Sequence, residues 1–303
     1  MLLQQIIGII NLSIPAIVLY QLFPSYILHP YGIALYSLCI GLYILYCQYR
    51  AATNIKKALL YTPKETVLES FNKEIIACGM LPEQINLRYS YLNDNVASST
   101  LNTICIDPMI WKDIDHDSDV IIIKNIIERQ IIPNVPEASK KMHAHIAQII
   151  SPAAQHFIFR HELGHTYYAY TPYVLCALFF IGVIMAALGM MTAYYLLPVY
   201  GGLIALIAGM LVSGISDLLL GYCNNAFLKV TLEKQADSFA IKHSTAEELN
   251  AAADFFEQYE EAAIKYRTQI GGLQSILPAI AVTGHPNAKI RVAYLRNAAA
   301  LKS

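Results

Sequence analysis

Two histidines carry the clearest chemical signal in this chain, in the run His161-Glu162-Leu163-Gly164-His165. Spacing of i and i+4 puts both imidazoles on one helical face, one turn apart, where each offers a nitrogen to a single metal ion. Glu162 stands beside the first histidine, within reach of water in an open coordination position. Zinc lowers the pKa of such a water towards about 7, and Glu162 is then the base that takes its proton as it attacks a carbonyl. The plain alternative is a surface helix with two stray histidines.

A catalytic zinc of this kind takes three protein ligands and an open fourth position. Glu233, in Glu233-Lys234-Gln235-Ala236-Asp237, is the best third ligand. Asp237 falls one turn further along the same helical face, where it can hydrogen-bond a ligating histidine and hold its tautomer. Read without the histidines, these two carboxylates are an ordinary solvated acidic face.

The elements that position these groups follow from capping and hydropathy. Ser151-Pro152 is a helix start, and the helix it opens runs to about Tyr170 with both histidines inside it. A helix near Asn224–His243 carries Glu233. Ser244 with Glu247 has the spacing of a capping box for the helix that follows, and Asn287–Leu301 closes the chain as a short helix. Upstream, Asn54 to about Met80 has helical spacing, and Leu101–Asp107 reads as a strand. Asp113, Asp115, Asp117 and Asp119 lack the Gly and Glu of a calcium loop and read as a solvated loop. Helices follow near Val120–Ile131 and Ala138–Ile150. His143 and His145 do not share a helical face, and no carboxylate pattern beside them suggests a second metal site. His29, His116, His156 and His243 read as loop or surface residues.

Apolar residues make up 56% of the 303, and only 14% are charged, against roughly a quarter in soluble domains. Four stretches are long and apolar enough to cross a bilayer: Leu2 to about Phe23, Tyr31–Cys47, Tyr173 to about Leu197, and Val199–Leu220. Gln4, Gln5, Asn11, Ser13 and Pro15 interrupt the first. All 21 Lys and Arg residues lie from Arg50 to Arg160 or from Lys229 onward. By the positive-inside rule the two polar regions share the cytoplasmic side of the membrane. A net charge of -1 argues against nucleic acid as a partner. The six cysteines (39, 47, 78, 105, 176 and 223) form no CxxC pair and suggest no redox chemistry.

The chain resembles the HtpX-type membrane zinc metalloproteases, relatives of the CAAX prenyl endopeptidases. The resemblance rests on His161–His165, two membrane spans after it, and the stretch Glu233–Asp237. It is extended by Thr283-Gly284-His285-Pro286-Asn287-Ala288-Lys289-Ile290-Arg291, with Arg six residues after the His. The resemblance implies that His161, His165 and Glu233 bind one Zn²⁺, that Glu162 is the base, and that Asp237 supports the site. It implies that His285 and Arg291 lie near the catalytic centre, holding substrate or the oxyanion. It also implies an edge strand on which a polypeptide substrate pairs by backbone hydrogen bonds. Asn95-Val96-Ala97 and Leu101–Asp107 are the nearest match to that element, with Asn95 as a substrate contact, although its aromatic is missing. The stretch from Pro108 to Ile150 is longer than the resemblance calls for and reads as a lid or a substrate-selecting insertion.

The expectation is therefore a mainly α, multi-pass membrane protein with four transmembrane helices and a gluzincin-type catalytic domain carrying a small β-sheet. Residues 1–47 and 173–220 form transmembrane hairpins. Residues 48–172 form a cytoplasmic region with the edge strand and the HExxH helix, and 221–303 a cytoplasmic helical region with the third ligand. The expected activity is zinc-dependent endoproteolysis of membrane or cytoplasmically exposed protein segments, which the resemblance links to protein quality control. Three rivals stand beside it: an intramembrane-type metalloprotease, a sensor-transducer, and an inactive membrane scaffold. Arg160 and the polar turn Ser151–His156 argue against the first, the lack of chain for a ligand-binding domain against the second, and the complete residue set against the third.

Overall fold

The computed structural model describes residues 29–55, 61–92, 96–111, 114, 118–135, 137–270 and 287–303. The apolar stretch Leu2–Phe23, Asn95 and His285 lie outside these residues. The elements, in chain order, are α1 (Pro30–Ile55), α2 (Glu65–Ala77), β1 (Asn86–Tyr89), β2 (Ala97–Thr100), β3 (Thr103–Ile106) and α3 (Ser118–Ile126). There follow α4 (Glu137–Ile149), α5 (Pro152–Tyr167), α6 (Tyr170–Tyr200), α7 (Gly202–Cys223), α8 (Val230–His243), α9 (Ala246–Ile270) and α10 (Ala288–Ala300). The protein is mainly helical with one three-stranded sheet.

The chain divides into two compact units, residues 1–53 with 173–224, and residues 54–172 with 225–303. Among the described residues, three helices are long and apolar enough to cross a membrane: Pro30–Tyr49 within α1, α6, and the run that begins with α7. Their outward faces are apolar, with Leu35, Phe180, Leu203 and Leu211 mostly exposed, a surface suited to lipid rather than water. Inside the first unit, α6 and α7 touch backbone to backbone. A β-carbon on Gly209 would lie 2.6 Å from the Gly189 carbonyl oxygen, and one on Gly189 would lie 2.8 Å from that of Gly209. Small residues permit this approach where lipid supplies no hydrophobic drive between helices. Ser213 adds a hydrogen bond from its hydroxyl to the Met185 carbonyl (3.2 Å).

The second unit has its own core. The sheet order is β1-β3-β2, with β3 parallel to β1 and antiparallel to β2. Residues 103–106 are therefore the central strand, not an edge, and all four are buried. The edge that packs beside α5 is β2. The correction has a simple cause: continuous apolar character in Ile104-Cys105-Ile106 marks a strand covered on both faces. The stretch from Asn54 is not one helix to Met80 either. Tyr61 pairs with Tyr89 beside the sheet, and α2 starts only at Glu65, after Pro63 has disfavoured helix at Thr62. Gly79, at φ +75°, closes α2.

The described residues between 108 and 150 build into the core and do not form a detached flap. Trp111, Ile114, Val120, Ile127, Met142 and Ile146 are all buried within it. Helix α5 runs through the middle of the unit. Ser151 caps it by accepting a hydrogen bond from Ala154 N (3.2 Å), and Pro152 occupies its first turn. It packs against α8, α9 and β2. The cap of α9 falls one residue later than its sequence pattern suggests. Thr245 Oγ1 accepts from Glu248 N (3.2 Å), and Glu248 Oε2 accepts from Thr245 N (2.7 Å), the reciprocal pair of a capping box.

Candidate metal centre

The two histidines of α5 face the first turns of α8, and Gly164 makes that approach possible. A β-carbon at 164 would sit 2.8 Å from Ala236 Cα and 3.0 Å from the Ala236 carbonyl oxygen. With the helices this close, His161 and His165 meet Glu233 directly. His161 Nε2 lies 3.3 Å from Glu233 Oε2, and His165 Nε2 lies 3.2 Å from Glu233 Oε1. All three residues are buried, and their ligand atoms fall within 4.8 Å of one another. Among the described residues this is the one such group of three or more ligating side chains.

The donor set fits a metal ion. Bonds of about 2.05 Å in a tetrahedral zinc site separate neighbouring ligand atoms by about 3.3 Å, close to both histidine–carboxylate distances here. Two imidazoles and one carboxylate are also the ligand types of a catalytic rather than a closed structural zinc site. Metal-free, the same geometry is a pair of histidine–carboxylate contacts. Burial disfavours a charged His161, but Asp237 and Glu233 outweigh it and push the ring up to about 9.

His161 is held from behind. Its Nδ1 lies 2.8 Å from Asp237 Oδ1, so the proton sits on Nδ1 and Nε2 is turned towards Glu233. Arg291 Nη2 donates to the same Asp237 oxygen at 2.5 Å, and Tyr294 donates its hydroxyl to Asp237 Oδ2. Arg291 also comes within 3.2 Å of His161 Nδ1. Both are donors when Nδ1 is protonated, so that approach is a shared attraction to Asp237 and not a hydrogen bond. Arg291 is buried, with its guanidinium 3.8 Å from the centre of the Phe256 ring. It thus approaches His161 from the side opposite the nitrogen that faces Glu233. Among the described residues His165 has no such support: its Nδ1 is buried without a hydrogen-bond partner, and the ring of Tyr170 lies 4.4 Å away.

Glu162 is buried on the same helix. Cys105 of β3 registers it: burial first, then the Glu162 carboxylate, pushes the Cys105 thiol up to about 11.

Of the residues singled out from the sequence, the fold brings together His161, Glu162, His165, Glu233, Asp237 and Arg291. Asn95 and His285 lie outside the described residues. Sequence reasoning missed Tyr294 and the structural need for Gly164. The signal for Tyr294 is its place three residues after Arg291, on the same face of α10. His143 belongs to a separate buried pair. It is buried, with Nε2 3.1 Å from Asp107 Oδ2, and Asp107 also accepts from Leu92 N (2.8 Å) and Met109 N (2.9 Å). His156 lies 3.1 Å from Glu74 Oε2 and is no free surface residue.

No family model, no curated protein and no solved structure matches the chain.

Proposed function

We propose that this protein is a membrane-anchored zinc endopeptidase of the HtpX-like kind, with a gluzincin-type catalytic unit that hydrolyses peptide bonds in membrane or cytoplasmically exposed polypeptides. The observation that carries this reading is the buried convergence of His161, His165 and Glu233 with Asp237 behind the first histidine. The apolar helices support membrane attachment, and the distribution of Lys and Arg supports a cytoplasmic inner-membrane orientation with four spans, Leu2–Phe23 being the first.

In this reading His161, His165 and Glu233 would hold one Zn²⁺, which would supply an activated water and a Lewis acid for the scissile carbonyl. Glu162, beside His161 on the same helix, would be the base that takes a proton from the attacking water and returns it to the leaving amine. Asp237 keeps His161 in the Nδ1–H tautomer, and Arg291 neutralises the buried Asp237 charge. A substrate in extended form lies along β2, the sheet edge beside α5, where its backbone adds to the ladder. His285 and Asn95 are the proposed substrate contacts carried by the resemblance.

The test compares wild type, Glu162→Gln and Glu233→Ala, each purified in detergent, for zinc content and for cleavage of a panel of membrane proteins and unfolded polypeptides. The expected result is one zinc in wild type and Glu162→Gln, little in Glu233→Ala, and cleavage by wild type alone. Zinc-loaded wild type that cuts nothing on the panel sinks the peptidase reading. Full zinc occupancy in Glu233→Ala removes the third ligand.

A further inference from the structure

We infer that Tyr294 is a positioning residue of the metal centre: with Arg291 it forms a two-point clamp on Asp237 that aims His161 at the metal. This deepens the zinc reading above and rests on it.

Asp237 is fully buried and has two carboxylate oxygens to satisfy. Oδ1 is shared between His161 Nδ1–H and Arg291 Nη2. Two donors on one oxygen leave the carboxylate free to turn about its terminal torsion, because that torsion is broad and two-fold. The Tyr294 hydroxyl removes this freedom by donating to Oδ2. The carboxylate plane is then set at both ends, and Oδ1 stays on the His161 side.

The clamp is a single unit of secondary structure. Arg291 and Tyr294 stand three residues apart on α10, and such pairs share a helical face. Asn287 starts that helix by accepting from Lys289 N (3.0 Å), and Val292, Leu295 and Ala299 bury its other contacts. Helix α10 packs along α9, so the clamp is supported by rigid elements. Tyrosine suits the second point because its hydroxyl is neutral. A second cation there would draw the carboxylate away from His161, whereas a phenol satisfies Oδ2 and leaves Asp237 its charge. Among the described residues His165 Nδ1 has no hydrogen-bond partner, so the clamp acts on His161.

The experiment uses the full chain in detergent and measures zinc affinity by competition with a chromophoric chelator for wild type, Tyr294→Phe, Asp237→Asn and the double variant. The visible spectrum of the cobalt-loaded forms and the melting temperature of the zinc-free forms are recorded alongside. Tyr294→Phe keeps the ring and removes only the hydroxyl. The expected result is a loss of about tenfold or more in zinc affinity, the scale of outer-shell effects. An altered cobalt spectrum and an unchanged zinc-free melting temperature are expected with it. In the Asp237→Asn background the same change has no further effect, since the two act as one device. Wild-type affinity in Tyr294→Phe overturns the proposal, as does an equal loss in both backgrounds. A lower zinc-free melting temperature with unchanged affinity reduces Tyr294 to a packing residue. Wild type that binds no zinc removes the metal reading and the clamp together. Wild type that binds zinc through the clamp but cleaves nothing removes the peptidase reading alone.

Discussion

Gly164 and Ala236 are in backbone contact: a β-carbon on the glycine would sit 2.8 Å from the alanine Cα. The glycine inside the histidine motif is therefore a packing requirement, and it sets the distance at which α8 presents Glu233. Gly164→Ala is expected to force the helices apart at an overpacking cost of about 1–3 kcal/mol. Zinc affinity falls with stability, because Glu233 moves with α8. Thermal melting and chelator competition on the same sample check both.

His143 and Asp107 form a buried pair, not half of a second metal site. His143→Ala is expected to leave zinc stoichiometry at one per chain and to destabilise the protein by about 2 kcal/mol, the scale of leaving a buried polar group short of a partner. Asp107 keeps its two backbone donors, which holds the loss below that of an isolated buried charge. Metal analysis and denaturant unfolding separate the two effects.

Glu248 caps α9 and meets Arg160 Nη1 at 2.5 Å. Burial alone would raise its carboxyl, but the Arg160 and Thr245 hydrogen bonds hold it below the ordinary glutamate range. A depressed carboxylate contributes stability that is present above its unfolded pKa and disappears as pH falls through the folded one. Glu248→Gln should therefore be less stable than wild type by about 1 kcal/mol at neutral pH. The gap should close as pH falls from about 4.5 downward. Parallel unfolding curves at several pH values give the answer, and a gap independent of pH would assign the effect to shape rather than charge.

In the apolar unit, Gly209→Ala is expected to lower thermal stability in detergent by about 1–3 kcal/mol, since the new methyl meets the Gly189 carbonyl. Gly221→Ala on the same helix meets none of the described residues within 4 Å and should show only the helix-propensity gain, at most about 1 kcal/mol. The pair controls for helix propensity.

Much of the candidate metal site is legible in the sequence because its geometry is local. The i, i+4 spacing of His161 and His165 on one helix, and of Glu233 and Asp237 on another, decides which groups share a face before any folding. Length and apolarity mark the membrane-length helices, and Ser151-Pro152 marks the start of α5, since these properties belong to the segment itself. Tertiary structure alone decided the rest. Strand order is a matter of pairing, so which strands flank residues 103–106 was decided only when β1 and β2 closed on either side. Whether Asp107 waits beside His143, whether Arg291 faces water or Asp237, and whether Tyr294 joins it all depend on packing between segments 36 to 57 residues apart in the chain. Burial turns these ordinary polar residues into partners, because a buried charge away from water must find its counter-charge and its donors within the fold.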